Sequence, residues 1–226
     1  MRARDHAKSL PKFREMRILR ATPDIVSDLL SARSVLEIGS GSGINLMSLA
    51  RLGTEAIGIE PVEAYRQMGA ILAEVEGLQS IRSVAGAAER IPFESEKFDT
   101  VLCVSSHQYF DIQPALHEIF RVLKPGGEVV LISGSWSRYL FGQAHNLFAG
   151  FGPAKGYVMT VVNTAAYMVL GRRLIFRRQK LATAYPVYPS RRAMKRMLGL
   201  AGFELATPPK PVAGEVFFRA RKPMQA

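Results

Sequence analysis

The stretch that most constrains this chain is Val35–Gly43, which reads VLEIGSGSG. Its first four residues form an apolar run around one acid, which is typical of a buried strand in a parallel sheet. Three glycines alternate with serines after that run, and a helical pattern of leucines follows. Glycine permits a positive φ and lets a ligand approach the backbone closely. A strand, a glycine loop and a helix in this order predict a cofactor crevice at the carboxyl end of a strand.

The spacing of the glycines indicates which cofactor is expected. The loop reads G-x-G-x-G, Glu37 lies two residues before the first glycine, and Ile44 occupies a position where a dinucleotide fingerprint expects less bulk. This combination resembles motif I of the class I S-adenosylmethionine (SAM) dependent methyltransferases, in particular the type 11, or UbiE-like, group. A glycine loop alone is a weak signal, so the resemblance depends on further segments.

Four such segments occur in the order that this family requires. The second apolar strand ends in the acid Glu60, which lies 17 residues after Gly43. Residues 86–93 read GAAERIPF and resemble the adenine-side loop. Residues 97–105 resemble strand four, and residues 118–132 resemble a helix, a turn and strand five. A doubly wound α/β domain that uses another cofactor, or none, is the alternative.

The resemblance implies a Rossmann-like α/β fold. Its doubly wound, seven-stranded and mostly parallel sheet would have the order 3-2-1-4-5-7-6, helices on both faces and an inserted lid after strand five. We expect a basic arm over residues 1–21 and a single methyltransferase domain over 22–226, with 134–189 as a basic, apolar-rich insertion that covers the substrate. The expected strands are 35–38, 55–60, 81–84, 99–105, 128–133, 203–206 and 215–220.

The resemblance also implies the cofactor site. SAM would bind there and leave as S-adenosylhomocysteine (SAH). Glu37 and the backbone of the glycine loop would hold the methionine end, and Glu60 would accept the ribose hydroxyls. Relatives commonly have Asp where this chain has Ala87, so Glu89 or a backbone carbonyl would receive the adenine amino group. The predicted cofactor-binding residues are Glu37, Gly39, Ser40, Gly41, Gly43, Glu60, Pro61, Ala88, Glu89 and Ser105.

Candidate catalytic residues follow strand four, where the chain reads SSHQYF. His107 is a candidate general base because the pKa of histidine lies near neutrality, although a structural role in the loop is the alternative. Tyr109 is a candidate for orienting the acceptor. We expect structural roles for His117 and for Cys103, the single cysteine. No metal-binding constellation is visible, and the predicted substrate and lid residues are Trp136, Tyr139, His145 and Tyr157.

The net charge of +11 arises in one region. Residues 129–203 contain no acid and eleven of the 30 basic residues, whereas the other 19 bases balance the 19 acids. Such a region attracts nucleic acid or an anionic membrane, or is simply a solvated basic face. Interleaved aromatic and apolar residues favour the membrane. The longest apolar tract, Tyr157–Leu170, is too short to span a bilayer and suits a buried or interfacial helix.

These features predict a methyltransferase for a small apolar or amphiphilic acceptor, such as a quinone precursor, a lipid or a natural-product intermediate. We expect a cytoplasmic protein, peripheral on the inner membrane face. One alternative is an RNA methyltransferase that uses the basic residues between 138 and 196, although the N/D-P-P-Y signature of base-amino methylation does not follow strand four. Another alternative is a protein that binds SAM or SAH without transferring a methyl group.

Overall fold

The computed structural model describes residues 32–78, 81–174, 185–212 and 215–224. Within these residues the chain forms one sheet of seven strands. The strands, in chain order, are β1 Val35–Ile38, β2 Ala56–Ile59, β3 Arg82–Val84, β4 Phe98–Val104, β5 Leu123–Gly134, β6 Glu204–Val212 and β7 Glu215–Arg221.

The order of the strands across the sheet is β3-β2-β1-β4-β5-β7-β6. Strands β1 to β5 pair in parallel, and β7 runs antiparallel to both β5 and β6. The direction in which the strands are added reverses between β1 and β4, and such a switch point is where open α/β sheets bind their ligands. This topology confirms the predicted Rossmann-like fold and its strand order.

The helices lie between the strands and in one long insertion after β5. Ser135 and Ser190 cap two of them, since their hydroxyl oxygens accept the N–H groups of Arg138 and Ala193. The helices are α1 Ile44–Arg51, α2 Glu63–Val75, α3 Ile112–Val122, α4 Trp136–Gly142, α5 Phe151–Leu170 and α6 Arg191–Leu200, with a short 3₁₀-helix at Ala144–Phe148.

Both faces of the sheet are buried, as the unbroken apolar strands predict. Along β4, Val101 and Cys103 join the core cluster that includes side chains of α3 and α6. Leu102 and Val104 point the other way and join a second cluster with Leu49 of α1. The period of two along one strand therefore divides the core into two layers.

Two strands extend beyond their predicted limits. Strand β5 begins at Leu123 rather than near residue 128, because Leu123 pairs with Phe98 before an irregularity in the β4–β5 register. Strand β6 continues to Val212, beyond the predicted end at residue 206. It is the edge strand and its pairing with β7 shifts register twice, and edges and bulges are where a sheet tolerates proline.

The insertion after β5 contains α4, the 3₁₀-helix and α5. The predicted apolar tract Tyr157–Leu170 lies in α5, which begins earlier, at Phe151. In the part of the chain that the structure describes, no helix is long and apolar enough to cross a membrane. The predicted arm 1–21 and the basic residues 177–180 lie outside the described residues.

Candidate functional site

The glycine loop follows β1 at the switch point of the sheet. Gly39, Gly41 and Gly43 have φ values of 68°, 55° and 74°, a region that side chains disfavour. A Cβ added at Gly39 would lie 2.5 Å from the Cβ of Ser106, whereas one added at Gly41 would meet nothing within 4 Å. Gly39 is therefore pressed against the loop after β4, and Gly41 borders open space on the side where a ligand can approach.

Glu60 joins the end of β2 to this loop. Its carboxylate oxygens accept the N–H groups of Gly41 and Val62, each at 2.9 Å, and its side chain is buried. The guanidinium of Arg66 donates to the Glu60 carbonyl at 2.5 Å. A carboxylate can accept about four hydrogen bonds. The two oxygens of Glu60 therefore have capacity for the ribose hydroxyls in addition to the two backbone groups.

Glu37, which the resemblance assigns to the methionine end of SAM, is buried in β1. It is only 1% exposed, and its Oε1 accepts the Nδ2 of Asn45 at 2.5 Å. This bond ties β1 to the first turn of α1 across the glycine loop. Glu37 thus helps to fix the position of α1 beside the loop, and its contact with the methionine end of SAM stays a prediction.

The adenine-side loop lies between β3 and β4. Ala88 is buried and Glu89 is exposed, and Oε1 of Glu89 accepts the N–H of Asp111 at 2.7 Å. Pro61, predicted beside this site, is exposed at the end of β2. One oxygen of Glu89 thus bonds to the start of α3, and the contact of Glu89 with adenine stays a prediction.

An ion pair on α3 holds the same loop in place. Glu118 accepts the N–H of Ile91 at 2.8 Å and the Nε of Arg121 at 2.8 Å. Arg121 in turn donates to the carbonyls of Phe93 and Ile91. The hydrogen bond from Arg121, together with the one from Ile91, holds the pKa of Glu118 below its ordinary value despite partial burial. Two side chains thus organise three backbone groups of the loop.

The low pKa of Glu118 makes the stability of the protein depend on pH. A carboxyl whose pKa is lower in the folded state stabilises that state above its unfolded pKa, and the contribution is lost as pH falls through its folded pKa. We expect the free energy of unfolding to decrease below about pH 4.5. Glu118→Gln should remove that part of the pH dependence and cost about 1 kcal/mol at neutral pH. Urea unfolding at several pH values measures both effects, and equal slopes for the two proteins would contradict this role.

The loop after β4 brings Ser105, Ser106 and His107 beside the glycine loop. Ser105 has a φ of 52°, which is uncommon outside glycine, and its N–H donates to Ile132 at 2.7 Å. The hydroxyl of Ser106 donates to the carbonyl of Ile38 at 2.6 Å. These bonds fix the turn between β4 and the predicted catalytic residues.

His107 is placed poorly for the predicted general base. It is 1% exposed, and its Nδ1 has no hydrogen-bond partner among the residues that the structure describes. Burial lowers its pKa to about 4, which makes the ring a weak base. Tyr109, two residues further, is half exposed and can meet a ligand. The geometry therefore favours a structural role for His107.

Three tyrosines, Tyr139, Tyr157 and Tyr188, form what we call the tyrosine roof. The rings of Tyr139 and Tyr188 stack with centroids 4.5 Å apart, and those of Tyr139 and Tyr157 lie 5.9 Å apart. A Cβ built on Gly134, the last residue of β5, would lie 3.8 Å from the Tyr188 ring. The roof therefore covers the carboxyl end of β5, at the edge of the sheet that carries the glycine loop.

The structure also places the other residues named in the sequence analysis. Trp136 begins α4 and is half-buried, and His145 lies exposed on the 3₁₀-helix. His117 bonds to the Gln113 carbonyl within its own helix. Cys103 is buried in β4, and this burial raises the pKa of its thiol.

Arg173 attaches the insertion to the loop after β4. It counted among the bases of the predicted binding region, but its side chain is buried. Its guanidinium donates to the carbonyls of Gln108, Phe110 and Tyr185. Desolvation lowers its pKa even though nearby Tyr167 and carboxylates act in the opposite direction. Arg173 therefore has a structural role, and we call its three hydrogen bonds the Arg173 clamp. It does not contribute to the positive charge of the surface.

The clamp is reinforced from α5. The hydroxyl of Tyr167 donates to the carboxylate of Asp111 and accepts the N–H of Ile112 at 2.8 Å. Sequence reasoning did not identify Tyr167, Arg173 or Tyr188 as site residues, because the insertion has no motif. Ser106 was not identified either, although it lies against Gly39.

Comparison with known proteins places this geometry in a family. Residues 36–131 match a family model described as a methyltransferase domain. A stretch of 132 residues is 25% identical to the uncharacterized methyltransferase YcgJ of Bacillus subtilis, over 56% of this chain and 52% of that protein. A stretch of 116 residues is 30% identical to the ubiquinone biosynthesis O-methyltransferase of Alkalilimnicola ehrlichii, over 50% of this chain and 47% of that protein. The chain thus spans about half the length of these relatives.

The fold is similar to that of a SAM-dependent methyltransferase from Methanosarcina mazei. The TM-score is 0.65 at 19% identity, and the alignment covers 90% of this chain and 99% of that one. Among the described residues, no group of three or more His, Cys, Asp or Glu side chains is arranged to hold a metal ion. The matched family model, the strand order and the fold confirm the resemblance seen in the sequence. Residues 36–131 of this chain therefore match a methyltransferase domain, and the chain has the fold of a SAM-dependent methyltransferase.

Proposed function

We propose that this chain transfers the methyl group of SAM to a small apolar or amphiphilic acceptor that binds beneath the tyrosine roof. A quinone precursor, a lipid or a natural-product intermediate has the required chemistry. The observation that carries the proposal is the roof itself, a stack of aromatic rings over the carboxyl end of β5. Aromatic surfaces of this kind bind flat or apolar ligands through burial and stacking.

The glycine loop and Glu60 fit SAM. The open space beside Gly41 allows the backbone to approach the methionine part of a ligand, and the Glu60 carboxylate can receive both ribose hydroxyls. Ala88 and Glu89 lie on the loop that would border the adenine. When bound, SAM supplies a methyl group on a positively charged sulfur. The chain's own contribution is then to hold the acceptor in line with that group.

Positioning supplies most of the rate enhancement in this proposal. Correct alignment of two reactants is worth up to about 7–11 kcal/mol. Burial raises the pKa of Tyr139 and of Tyr188, so both phenols stay protonated near neutral pH. The roof therefore acts as a neutral surface with hydroxyl donors. We infer that the acceptor atom is already nucleophilic, or ionises with little help from the protein.

The insertion also excludes water from the acceptor. Tyr188 donates its N–H to Thr164 of α5 at 3.2 Å, and Tyr157 donates its hydroxyl to the Leu140 carbonyl at 2.8 Å. These bonds tie α4, α5 and the segment before α6 into one cover above the sheet. A cover that closes over the reactants strengthens electrostatic interactions and prevents side reactions.

The proposal predicts that label from methyl-labelled SAM enters an organic-solvent extract of host cells and does not enter total RNA. The chain would be incubated with each fraction, and the double variant Glu60→Ala, Gly41→Val would serve as the blank because it removes the ribose acceptor and fills the ligand side of the loop. Tyr139→Leu should raise KM for the labelled acceptor at least about tenfold and leave SAM affinity unchanged, since it removes stacking area and a hydroxyl that bonds to Thr160 within the insertion.

Three results would contradict parts of this proposal. Label only in RNA would make the basic residues between 138 and 196 a phosphate-binding track and overturn the acceptor class. SAM binding with no label in either fraction would indicate a protein that binds the cofactor without methyl transfer. Equal acceptor KM for Tyr139→Leu and the unaltered chain would indicate that the tyrosine roof is not part of the acceptor site.

A further inference from the structure

Helix α5 has the reverse of the usual distribution of polar and apolar residues. The residues that face the protein are largely polar, and Asn163 and Thr164 have no exposed area. The residues that face outward are apolar along the helix except for Lys155. We call this outward row the outer face, and it consists of Phe151, Val158, Val162, Ala165 and Val169.

The inward polar groups are hydrogen-bonded within the protein. Asn163 accepts the N–H of Leu174 at 3.2 Å, and Thr164 accepts that of Tyr188 at 3.2 Å. Tyr167 bonds to Asp111 and Ile112. Buried polar groups with such partners are stable. The orientation of α5 is therefore fixed by its inner face, and the exposure of its apolar row is a consequence of that orientation.

A cluster of large apolar side chains extends the outer face at the start of α5. Phe148 is 91% exposed, Phe151 is 85% exposed and Phe141 is 77% exposed. Leu147 lies between them in sequence and is also exposed. We call these four residues the apolar tip. Contiguous exposed apolar surface of this kind marks an interaction site in a soluble domain.

Basic residues border the outer face. Lys155 lies on α5 itself, with its ammonium 6.0 Å from the centre of the Phe151 ring, and Arg172 follows the end of the helix. Arg196 of α6 donates to the Met168 carbonyl, so α6 lies beside this end of α5. No acid occurs between residues 129 and 203 to offset these charges. The surface thus combines an apolar row with a positive border.

We propose that the outer face of α5 and the apolar tip dock on an anionic membrane leaflet. The helix would lie in the plane of the leaflet, with its aromatic residues among the acyl chains and its basic residues at the head groups. Such a helix penetrates about 5–10 Å, and 20 residues extend about 30 Å along the surface. The docking surface and the tyrosine roof are then opposite sides of the same helix.

Charge and polarity decide between this partner and two others. RNA offers phosphates to the basic border but no apolar phase for Phe148 and Phe151. A second copy of the chain would cover the apolar row, but it would also bring two acid-free basic borders together, and like charges at an interface disfavour association. An anionic leaflet satisfies both the apolar row and the basic border.

This docking extends the proposed function. It rests on that function only for the reason why the protein would bind a membrane. An acceptor dissolved in the bilayer would enter beneath the roof from the membrane side, because α5 carries Tyr157 toward the roof and its apolar row toward the lipid. Vesicle binding requires neither SAM nor an acceptor. It can therefore fail while label still enters the organic extract, and it can succeed while no transfer occurs.

The experiment is flotation of the full chain with phosphatidylcholine vesicles, with and without phosphatidylglycerol. We expect binding only to the anionic vesicles. Phe148→Ser, Phe151→Ser should weaken it at least about tenfold, because two aromatic side chains lose their burial in lipid. Lys155→Gln, Arg172→Gln should weaken binding and reduce its dependence on salt. Leu52→Ser, Val75→Ser is the matched control, since it removes two exposed apolar side chains, one directly after α1 and one at the end of α2.

A tryptophan at position 148 separates insertion from adsorption. Phe148→Trp in a Trp136→Phe background leaves one indole at the apolar tip, because Trp136 is the single tryptophan. Lipids brominated in the acyl chain should quench its fluorescence. The proposal is wrong if the Phe148, Phe151 variant floats like the unaltered chain or if quenching does not occur. It is also wrong if the chain binds RNA but not vesicles. A chain that does not float, and whose dimer is abolished in the variant, would indicate a second copy as the partner.

Discussion

Gly39→Ala should lower the free energy of unfolding by about 2–5 kcal/mol. The new methyl group would lie 2.5 Å from the Cβ of Ser106, in a backbone conformation with φ of 68°. Ser106 cannot move away easily, because its hydroxyl is bonded to the Ile38 carbonyl at the end of β1. The variant therefore has to separate the glycine loop from the loop after β4. Urea unfolding measures the loss.

Gly41→Ala is the matched control for this prediction. Its φ of 55° imposes similar backbone strain, but the added methyl group meets nothing within 4 Å. We expect a loss of only about 1–2 kcal/mol in stability and a marked loss of SAM affinity, because the methyl group occupies the ligand side. Equal destabilisation by the two substitutions would show that the contact with Ser106 is unimportant. Unchanged SAM affinity in Gly41→Ala would indicate that the cofactor does not bind beside this loop.

Arg173→Met should destabilise the protein by about 2–4 kcal/mol. Methionine preserves much of the volume of the side chain and removes the guanidinium. The carbonyls of Phe110 and Tyr185 then lose a charged donor inside the protein, and so does that of Gln108, which retains the N–H of Val187. We also expect a higher acceptor KM, since these bonds attach the tyrosine roof to the sheet.

Arg172→Met provides the comparison, because the neighbouring side chain is exposed. Its effect on stability should stay within about 0.5 kcal/mol. Stability is read from urea unfolding, and acceptor KM is read from methyl transfer at saturating SAM. If Arg173→Met and Arg172→Met behave alike, the buried bonds seen in the structure do not hold the insertion.

The cofactor half of the molecule could be predicted from the sequence, because its signals are local. Val35–Gly43 places a buried strand, a positive-φ loop and a helix in one short stretch, and Glu60 ends the next strand. Parallel strands bring such ends to one edge of the sheet regardless of the rest of the fold. The strand order followed from these motifs through the resemblance they carry.

The acceptor half could not be predicted in the same way. Tyr188 and Tyr139 are far apart in sequence. They meet because the polar inner face of α5 faces the protein. In a hydropathy pattern those polar residues only interrupt an apolar tract. Arg173 was indistinguishable from its neighbour Arg172, since burial of one arginine in such a pair depends on which carbonyls surround it. His107 looked reactive from its position after β4, but its ring lies in the core.

The Arg173 clamp bears on how the acceptor range of such a protein can change. All three of its acceptors are main-chain carbonyls, at Gln108, Phe110 and Tyr185. Attachment of the cover is therefore indifferent to which side chains occupy those positions, provided that the backbone keeps its path. Tyr109, half exposed between two clamped residues, can be randomised in a library without loosening the cover. Acceptor selectivity can therefore be altered at this position while the backbone bonds that attach the cover are kept.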